Sequence, residues 1–196
     1  MIPQMTVRTF VAMEIPLSIR QAIMKQTERL RQTLGDELVR WVPLENMHLT
    51  IKFLGDVPNS HVDFLKQSLI QIAAASHSFD LQVDGLGSFP NSKQPRVLWV
   101  GVHAQAALQG IQQNVENAMN RLGYKKEERP FSPHLTLGRV KQNIIPADSV
   151  RIRDMLQTIQ LGRIGTARVH SVHLFKSDLS PAGSEYTKLF SANFKP

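Results

Sequence analysis

The sequence predicts an α+β fold built on largely antiparallel sheets. Three segments repeat their apolar residues with helical spacing, and a fourth does so more weakly. Eight short runs read as strands, and several of them follow one another with no helix between. The order of these elements also occurs twice along the chain.

A strand-like run, Thr6–Glu14, comes first. Ile19, Ile23, Leu30 and Leu34 then share a helical face. Ser18 with Gln21 predicts a capping box at its start, and Gly35 directly after the stripe supplies the left-handed residue a helix end favours. Strands are expected at Leu38–Val42 and His48–Leu54. A helix beginning near Ser60 places Val62, Leu65, Leu69 and Ile72 on one side. Strands Phe79–Leu86 and Arg96–His103 flank the loop Ser88–Pro95, which is short and followed at once by apolar residues, so it reads as a connection rather than a flexible linker. From about Gln105 a third helix turns Leu108, Ile111, Val115, Met119 and Leu122 to the core and ends at Gly123. A strand at His134–Val140, the weaker helix Ala147–Ile159, and strands Arg163–Lys176 and Tyr186–Phe194 complete the chain.

A constant shift lays Phe10 on Leu98, Ile23 on Ile111, and Leu34-Gly35 on Leu122-Gly123; with a two-residue slip it also brings His48 onto His134. Both halves then read strand, helix, His-x-Thr strand, helix, strand. A pseudo-two-fold duplication follows, with one His-x-Thr from each half.

Composition narrows the chemistry. At 196 residues, with 42% hydrophobic and 20% charged residues, the chain has enough material for a real core and fits a globular protein. There is no cysteine, which excludes disulfides, a thiolate nucleophile and thiolate zinc sites. The longest apolar stretches, such as Val97 to Val102, fall far short of a membrane span. No basic flank followed by an apolar run stands at the N-terminus, so no signal peptide is expected and the cytoplasm is the expected location. Lys and Arg number 23 against 16 Asp and Glu, a net charge of +7 that favours anionic partners such as nucleic acid.

The chemistry concentrates in two triplets, His48-Leu49-Thr50 and His134-Leu135-Thr136. Seven His and nine Thr in this length give roughly 0.3 His-x-Thr matches by chance. Two copies agreeing in the middle Leu, each followed by a further apolar residue, stand well above that. In a strand, residues two apart point to the same face. His48, Thr50 and Lys52 are therefore expected on one face, with Leu49, Ile51 and Phe53 in the core. His134 and Thr136 likewise share a face, opposite Leu135 and Leu137. If a two-fold axis relates the strands, both imidazoles and both hydroxyls converge. Two hydroxyls and a protonated imidazole can hold a phosphate without a metal. Opening a cyclic phosphate on RNA needs one base and one acid, and histidine serves in either role near neutrality.

The residues around the triplets resemble a known family. Met47-His48-Leu49-Thr50-Ile51-Lys52-Phe53-Leu54-Gly55 and Pro133-His134-Leu135-Thr136-Leu137-Gly138-Arg139 look like the paired signatures of the 2H phosphoesterases, and specifically of the RNA 2′,3′-cyclic phosphodiesterase branch, also called 2′-5′ RNA ligases. Arg8–Ala12, Phe89-Pro90 with Arg96–Gly101, Arg129–Phe131 and Tyr186–Leu189 extend the likeness over essentially the whole chain. The resemblance implies one bilobal domain over residues 1–196: two antiparallel sheets related by a pseudo-two-fold, helices on the outer faces and a central cleft. One lobe would hold both termini, so the sequence halves would not be the spatial lobes. It implies that His48 protonates the leaving 3′-oxygen and that His134 activates water, leaving a 2′-phosphomonoester. Thr50 and Thr136 would hold phosphate oxygens. Arg139, which follows the second triplet in the family pattern at an offset of five from His134, reads either as neutralising the phosphate or as a solvated arginine.

Lys52 reads as an edge lysine, and Tyr186 as either a cleft or a structural residue. His170 and His173 lie three apart in an expected strand and so point to opposite faces; His61, His77 and His103 read as surface or strand-end residues. No metal and no cofactor is expected. The expected partners are RNA ends or cyclic nucleotides, with no membrane and no obligate protein partner. Two other readings stand beside hydrolysis: 2′-5′ RNA joining at the same site, and a nucleotide- or RNA-binding module without turnover.

Overall fold

The computed structural model describes residues 5–103, 106–180 and 183–196. In chain order its elements are β1 (Thr6–Glu14), α1 (Leu17–Gln26), α2 (Glu28–Leu38), β2 (Val39–Trp41), β3 (His48–Pro58), α3 (Val62–Ala74), β4 (Phe79–Phe89), β5 (Val97–His103), α4 (Ala106–Arg121), β6 (His134–Val140), α5 (Pro146–Thr158), β7 (Arg163–Val169), β8 (Ser171–Ser180) and β9 (Gly183–Asn193). The fold is α+β, as the sequence predicts.

The strands lie in the order β7-β4-β5-β6-β3-β1-β8-β9, with β2 added beside β6. Every pairing between these strands is antiparallel. Long ladders join neighbours within the groups β9-β8-β1-β3 and β6-β5-β4-β7, whereas β3 and β6 meet only at Leu49 and Leu135. The two expected sheets are thus two halves of one curled sheet, continuous through a single residue pair. β1 and β9 fall in the same half, and β4 to β7, the middle of the chain, form the other.

The helices do not stay with the strands they follow. α1 and α2 leave β1 and pack in the other half, on β7 and β2, with α5 against α2. α4 leaves β5 and packs on β3 and on α3, which itself covers β8 and β9. Close approach has a local cause at one point: a Cβ on Gly165 of β7 would lie 2.6 Å from the Ile19 side chain of α1. The apolar stripes read from sequence are the buried faces. Ile23, Leu30, Leu34, Leu65, Leu69, Leu108, Val115 and Met119 are all fully buried.

Four local expectations change. The run Arg163–Lys176 is two strands in different halves, β7 and β8, broken at His170. Period-2 logic cannot see such a crossover, because both parts alternate in the same way. The capping box at Ser18 is absent, since α1 starts at Leu17 behind Pro16, with Ser18 already inside. The first helical stripe is also divided at Thr27, whose buried hydroxyl donates to the Ile23 carbonyl at 2.8 Å and separates α1 from α2. Gly35 does adopt a positive φ of 60°, but as a kink within α2, which runs on to Leu38.

Candidate active site

The two triplets flank the junction of the halves. Leu49 and Leu135, opposite each other, are 0% exposed, while His48, Thr50, His134 and Thr136 are half-buried on the other face. Continuing the antiparallel register one residue each way sets His48 across from Thr136 and Thr50 across from His134. Each histidine therefore neighbours the hydroxyl of the other triplet. The pseudo-two-fold is present at the level of single residues.

Both imidazoles are anchored alike. His48 Nδ1 is 2.8 Å from the carbonyl oxygen of Asn46, and His134 Nδ1 is 2.7 Å from that of Ser132. A carbonyl only accepts, so each Nδ1 carries the proton and each neutral ring keeps a lone pair on Nε2. Asn46 closes the short turn Leu44–Asn46 and donates from its side chain to the Ser184 carbonyl of β9 at 3.1 Å. Aromatic walls hold the rings. Phe10 lies 4.8 Å from the His48 ring and Tyr186 meets it edge-on at 5.1 Å, while Phe89 meets His134 edge-on at 4.8 Å and Trp99 lies at 6.3 Å. Only glycine fits beneath that indole, since a Cβ on Gly87 would come 2.2 Å from it. Tyr186 is thus part of the cleft. A pocket of about 200 Å³ opens beside His48, lined among others by Glu14, Arg20, Tyr186 and Lys188.

Burial pushes the His48 pKa down to about 4; the Asn46 carbonyl works against this, and repulsion from His134 adds to it. His134 is also lowered, by burial first and then by the charge of Arg139, against the Ser132 carbonyl. The mutual repulsion disfavours two imidazolium ions at once, so the pair is suited to carry one proton between them.

The strand faces beyond the triplets differ from the simple alternation, for one reason repeated twice. Opposite β1, Val11 pairs with Lys52 and Ala12 with Thr50, so Ile51 is an extra residue. Opposite β5, Leu98 pairs with Gly138 and Trp99 with Thr136, so Leu137 is extra. Each triplet strand has a bulge three residues after its histidine, and a bulge shifts the alternation by one. Lys52 and Gly138 consequently turn to the core, while Phe53 and Arg139 turn to the histidine face. Phe53, expected in the core, is 67% exposed. Lys52, expected at an exposed edge, is 5% exposed; its Nζ donates to Glu116 of α4 and to the Lys125 carbonyl, both at 2.7 Å. The same pairings match Val11 with Leu98, one position from the Phe10–Leu98 equivalence expected from sequence. Sequence reasoning missed Phe53, although its offset from His48 equals that of Arg139 from His134 and could have drawn attention to it.

One other histidine reaches the edge of the site: His173 Nε2 lies 3.6 Å from a Glu14 carboxylate oxygen, and Glu14 lines the pocket beside His48. His173 is buried between the hydroxyls of Ser171 and Ser191, at 2.9 and 2.8 Å, and His170 lies near Ser78. Among the described residues no group of three His, Cys, Asp or Glu side chains could hold a metal ion, and no helix is long and apolar enough to cross a membrane.

Known proteins share the family and the fold of this chain. The family model described as LigT like Phosphoesterase matches twice in succession, over residues 14–99 and 100–186, once for each copy of the repeat. An RNA 2′,3′-cyclic phosphodiesterase of Methanothermobacter thermautotrophicus is 30% identical over 185 residues, covering 94% of this chain and 97% of the relative. One of Thermotoga maritima is 30% identical over 189 residues and covers 96% of each chain. The crystal structure of E. coli LigT complexed with 3′-AMP superposes with a TM-score of 0.77 at 24% identity, covering 98% of this chain and 100% of that one. A crystal structure from Thermus thermophilus superposes at 0.80, also at 24% identity, covering 96% and 98%. Two His-x-Thr strands, a matching bulge in each and a family model that fits both halves make one conclusion: the chain belongs to the LigT-like phosphoesterase family.

Proposed function

We propose that this chain hydrolyses the 2′,3′-cyclic phosphate at RNA ends or in cyclic nucleotides, without a metal, and leaves a 2′-phosphomonoester. One observation carries the reading: two imidazoles, each fixed through Nδ1 by a backbone carbonyl two residues before it, flank the same junction with Nε2 outside that bond. Relatives named RNA 2′,3′-cyclic phosphodiesterase and the 3′-AMP complex of E. coli LigT support the substrate class.

In the proposed reaction the phosphate sits over the junction, its oxygens accepting from Thr50, Thr136 and Arg139. Neutral His134 takes a proton from water through Nε2 as the water oxygen bonds to phosphorus. The bond from phosphorus to O3′ breaks, and O3′ takes a proton from His48 Nε2. The 2′-ester bond survives. The role of acid falls to His48 from the family resemblance, and since burial holds its pKa at about 4 the ring is neutral in the free protein and must gain its proton in the complex. It acquires its proton when the anionic substrate binds, because the negative charge beside it favours the imidazolium form. Phe53, exposed on the cleft face, offers a ring on which a base can stack.

The test is incubation of the protein, with EDTA present, with a nucleoside 2′,3′-cyclic phosphate, and separation of 2′- from 3′-monophosphate. Wild type should give the 2′ product, and His48→Ala and His134→Ala should each lose on the order of 10³-fold in kcat. A 3′ product would reverse the leaving-group assignment. Unchanged turnover in either variant would remove that histidine from the mechanism. Binding without turnover in wild type would make the chain a nucleotide-binding module.

A further inference from the structure

Beside Arg139 on the cleft face lies a second arginine. Arg40 of β2 stands directly opposite Arg139 of β6. Residues directly opposed in an antiparallel pair project to one face. The flanking pairs Val39–Val140 and Trp41–Gly138 take the other face, where a Cβ on Gly138 would lie 2.6 Å from Val39. The bulge in β6 puts Arg139 on the face of His134 and Thr136, so Arg40 is there too. The β5 partners agree: Val97 opposes Arg139 and Trp99 opposes Thr136. Arg40 and Arg139 are both exposed, and the ion pairs among the described residues engage neither.

Like charges directly opposite each other weaken a sheet. Two such guanidinium groups on a cleft wall, in no ion pair among the described residues, gain an energetic reason once a polyanion places one phosphate against each. Their planar forks match phosphate oxygens two at a time, which an ammonium does not. The charge of Arg139 adds to burial in lowering the His134 pKa, so it serves the reacting phosphate, and Arg40 lies one strand across from it, on the edge of β6 that also meets β3. We infer that Arg40 binds the phosphodiester adjacent to the reacting cyclic phosphate, making the wall β2–β6 a track for an RNA chain rather than for a lone nucleotide. This rests on the phosphodiesterase reading and narrows its substrate to an oligonucleotide end.

The experiment compares a nucleoside 2′,3′-cyclic phosphate with a short oligoribonucleotide ending in the same cyclic nucleotide. Wild type, Arg40→Met, Arg40→Lys and the distant control Arg168→Met are assayed from 50 to 300 mM KCl. Arg40→Met should raise KM for the oligonucleotide about tenfold, the worth of one charge-assisted contact, and change the mononucleotide KM much less. Its salt slope for the oligonucleotide should fall by about 0.7, one phosphate contact on a single strand. Arg40→Lys should recover part of the loss, and Arg168→Met should match wild type on both substrates. Thermal unfolding separates binding from fold, since removing one of two repelling charges leaves Tm unchanged or higher at low salt, whereas a structural arginine would lower it. An equal KM change on both substrates, an unchanged salt slope or a lowered Tm would each overturn the inference. If wild type turns over neither substrate, the phosphodiesterase reading fails by itself. The track is then read from binding of the same oligonucleotide by fluorescence anisotropy, where equal affinity of wild type and Arg40→Met would end it.

Discussion

At the scale of single residues the site is two histidines that differ in how strongly their surroundings oppose a charge. His48, enclosed by Phe10 and Tyr186, is held at about 4, and burial, with the charge of Arg139 added, holds His134 below its ordinary value. Turnover needs one ring protonated and the other neutral, and kcat/KM follows that state in the free protein. The singly protonated pair is most abundant between its two macroscopic values, and both lie below 6.5. A bell-shaped kcat/KM profile with its maximum below pH 6.5 is therefore expected, while the kcat profile should lie at higher pH, because bound phosphate favours imidazolium. Arg139→Met removes a positive charge from beside His134, so the alkaline limb should move up in pH even as kcat/KM falls. A kcat/KM maximum above pH 7, or an alkaline limb that moves down in Arg139→Met, would contradict this account. The histidines and threonines were legible because the same triplet occurs twice. The inequality between His48 and His134 was not, since it arises from packing by β1 and β9, distant in the chain.

At the scale of elements, period-2 alternation placed the first three residues of each triplet correctly and failed at the fourth position after each histidine. A bulge is legible when glycine marks it, as Gly138 does in β6, but Ile51-Lys52 carries no such mark. What turns inward at Lys52 is an ion pair. Its ammonium bridges Glu116 of α4 and the Lys125 carbonyl, and the Glu127 backbone N–H donates to the same Glu116 oxygen at 3.3 Å. This ties the strand of the first triplet to the segment that leads into the second. Breaking a buried pair leaves one charge unmatched and costs about 3–5 kcal/mol, whereas replacing both partners with apolar groups costs far less. Lys52→Met and Glu116→Leu should each lower the urea midpoint by a matching amount, and the double variant should recover most of the loss. Additive losses in the double variant would mean that the two side chains stabilise the fold independently.

At the scale of the whole molecule the helices exchange between halves, and this ties the halves together more firmly than the Leu49–Leu135 contact does. Strand and helix identities could be read from local periodicity, and the repeat announced two similar halves. Which sheet each helix covers is set by long-range packing, to which a local pattern is blind. The outcome is that β7 and β2 are covered by helices that follow β1 of the other half, and β3 is covered by α4, which follows β5. Neither half has a complete core when the other is unfolded: β7 would lose α1, whose Ile19 lies against Gly165, and β3 would lose α4. The two should therefore unfold together. Both tryptophans, Trp41 on β2 and Trp99 on β5, report on one half, while α3 and α4, which cover the other, contribute to the far-ultraviolet circular dichroism. Urea titrations followed by tryptophan fluorescence and by circular dichroism at 222 nm should superpose in midpoint and slope, and should shift together in Lys52→Met, although that substitution lies in the half without tryptophan. A dichroism curve in two steps, or a fluorescence midpoint that ignores Lys52→Met, would show that each half holds its own core, and the exchanged helices would then be no more than a covering.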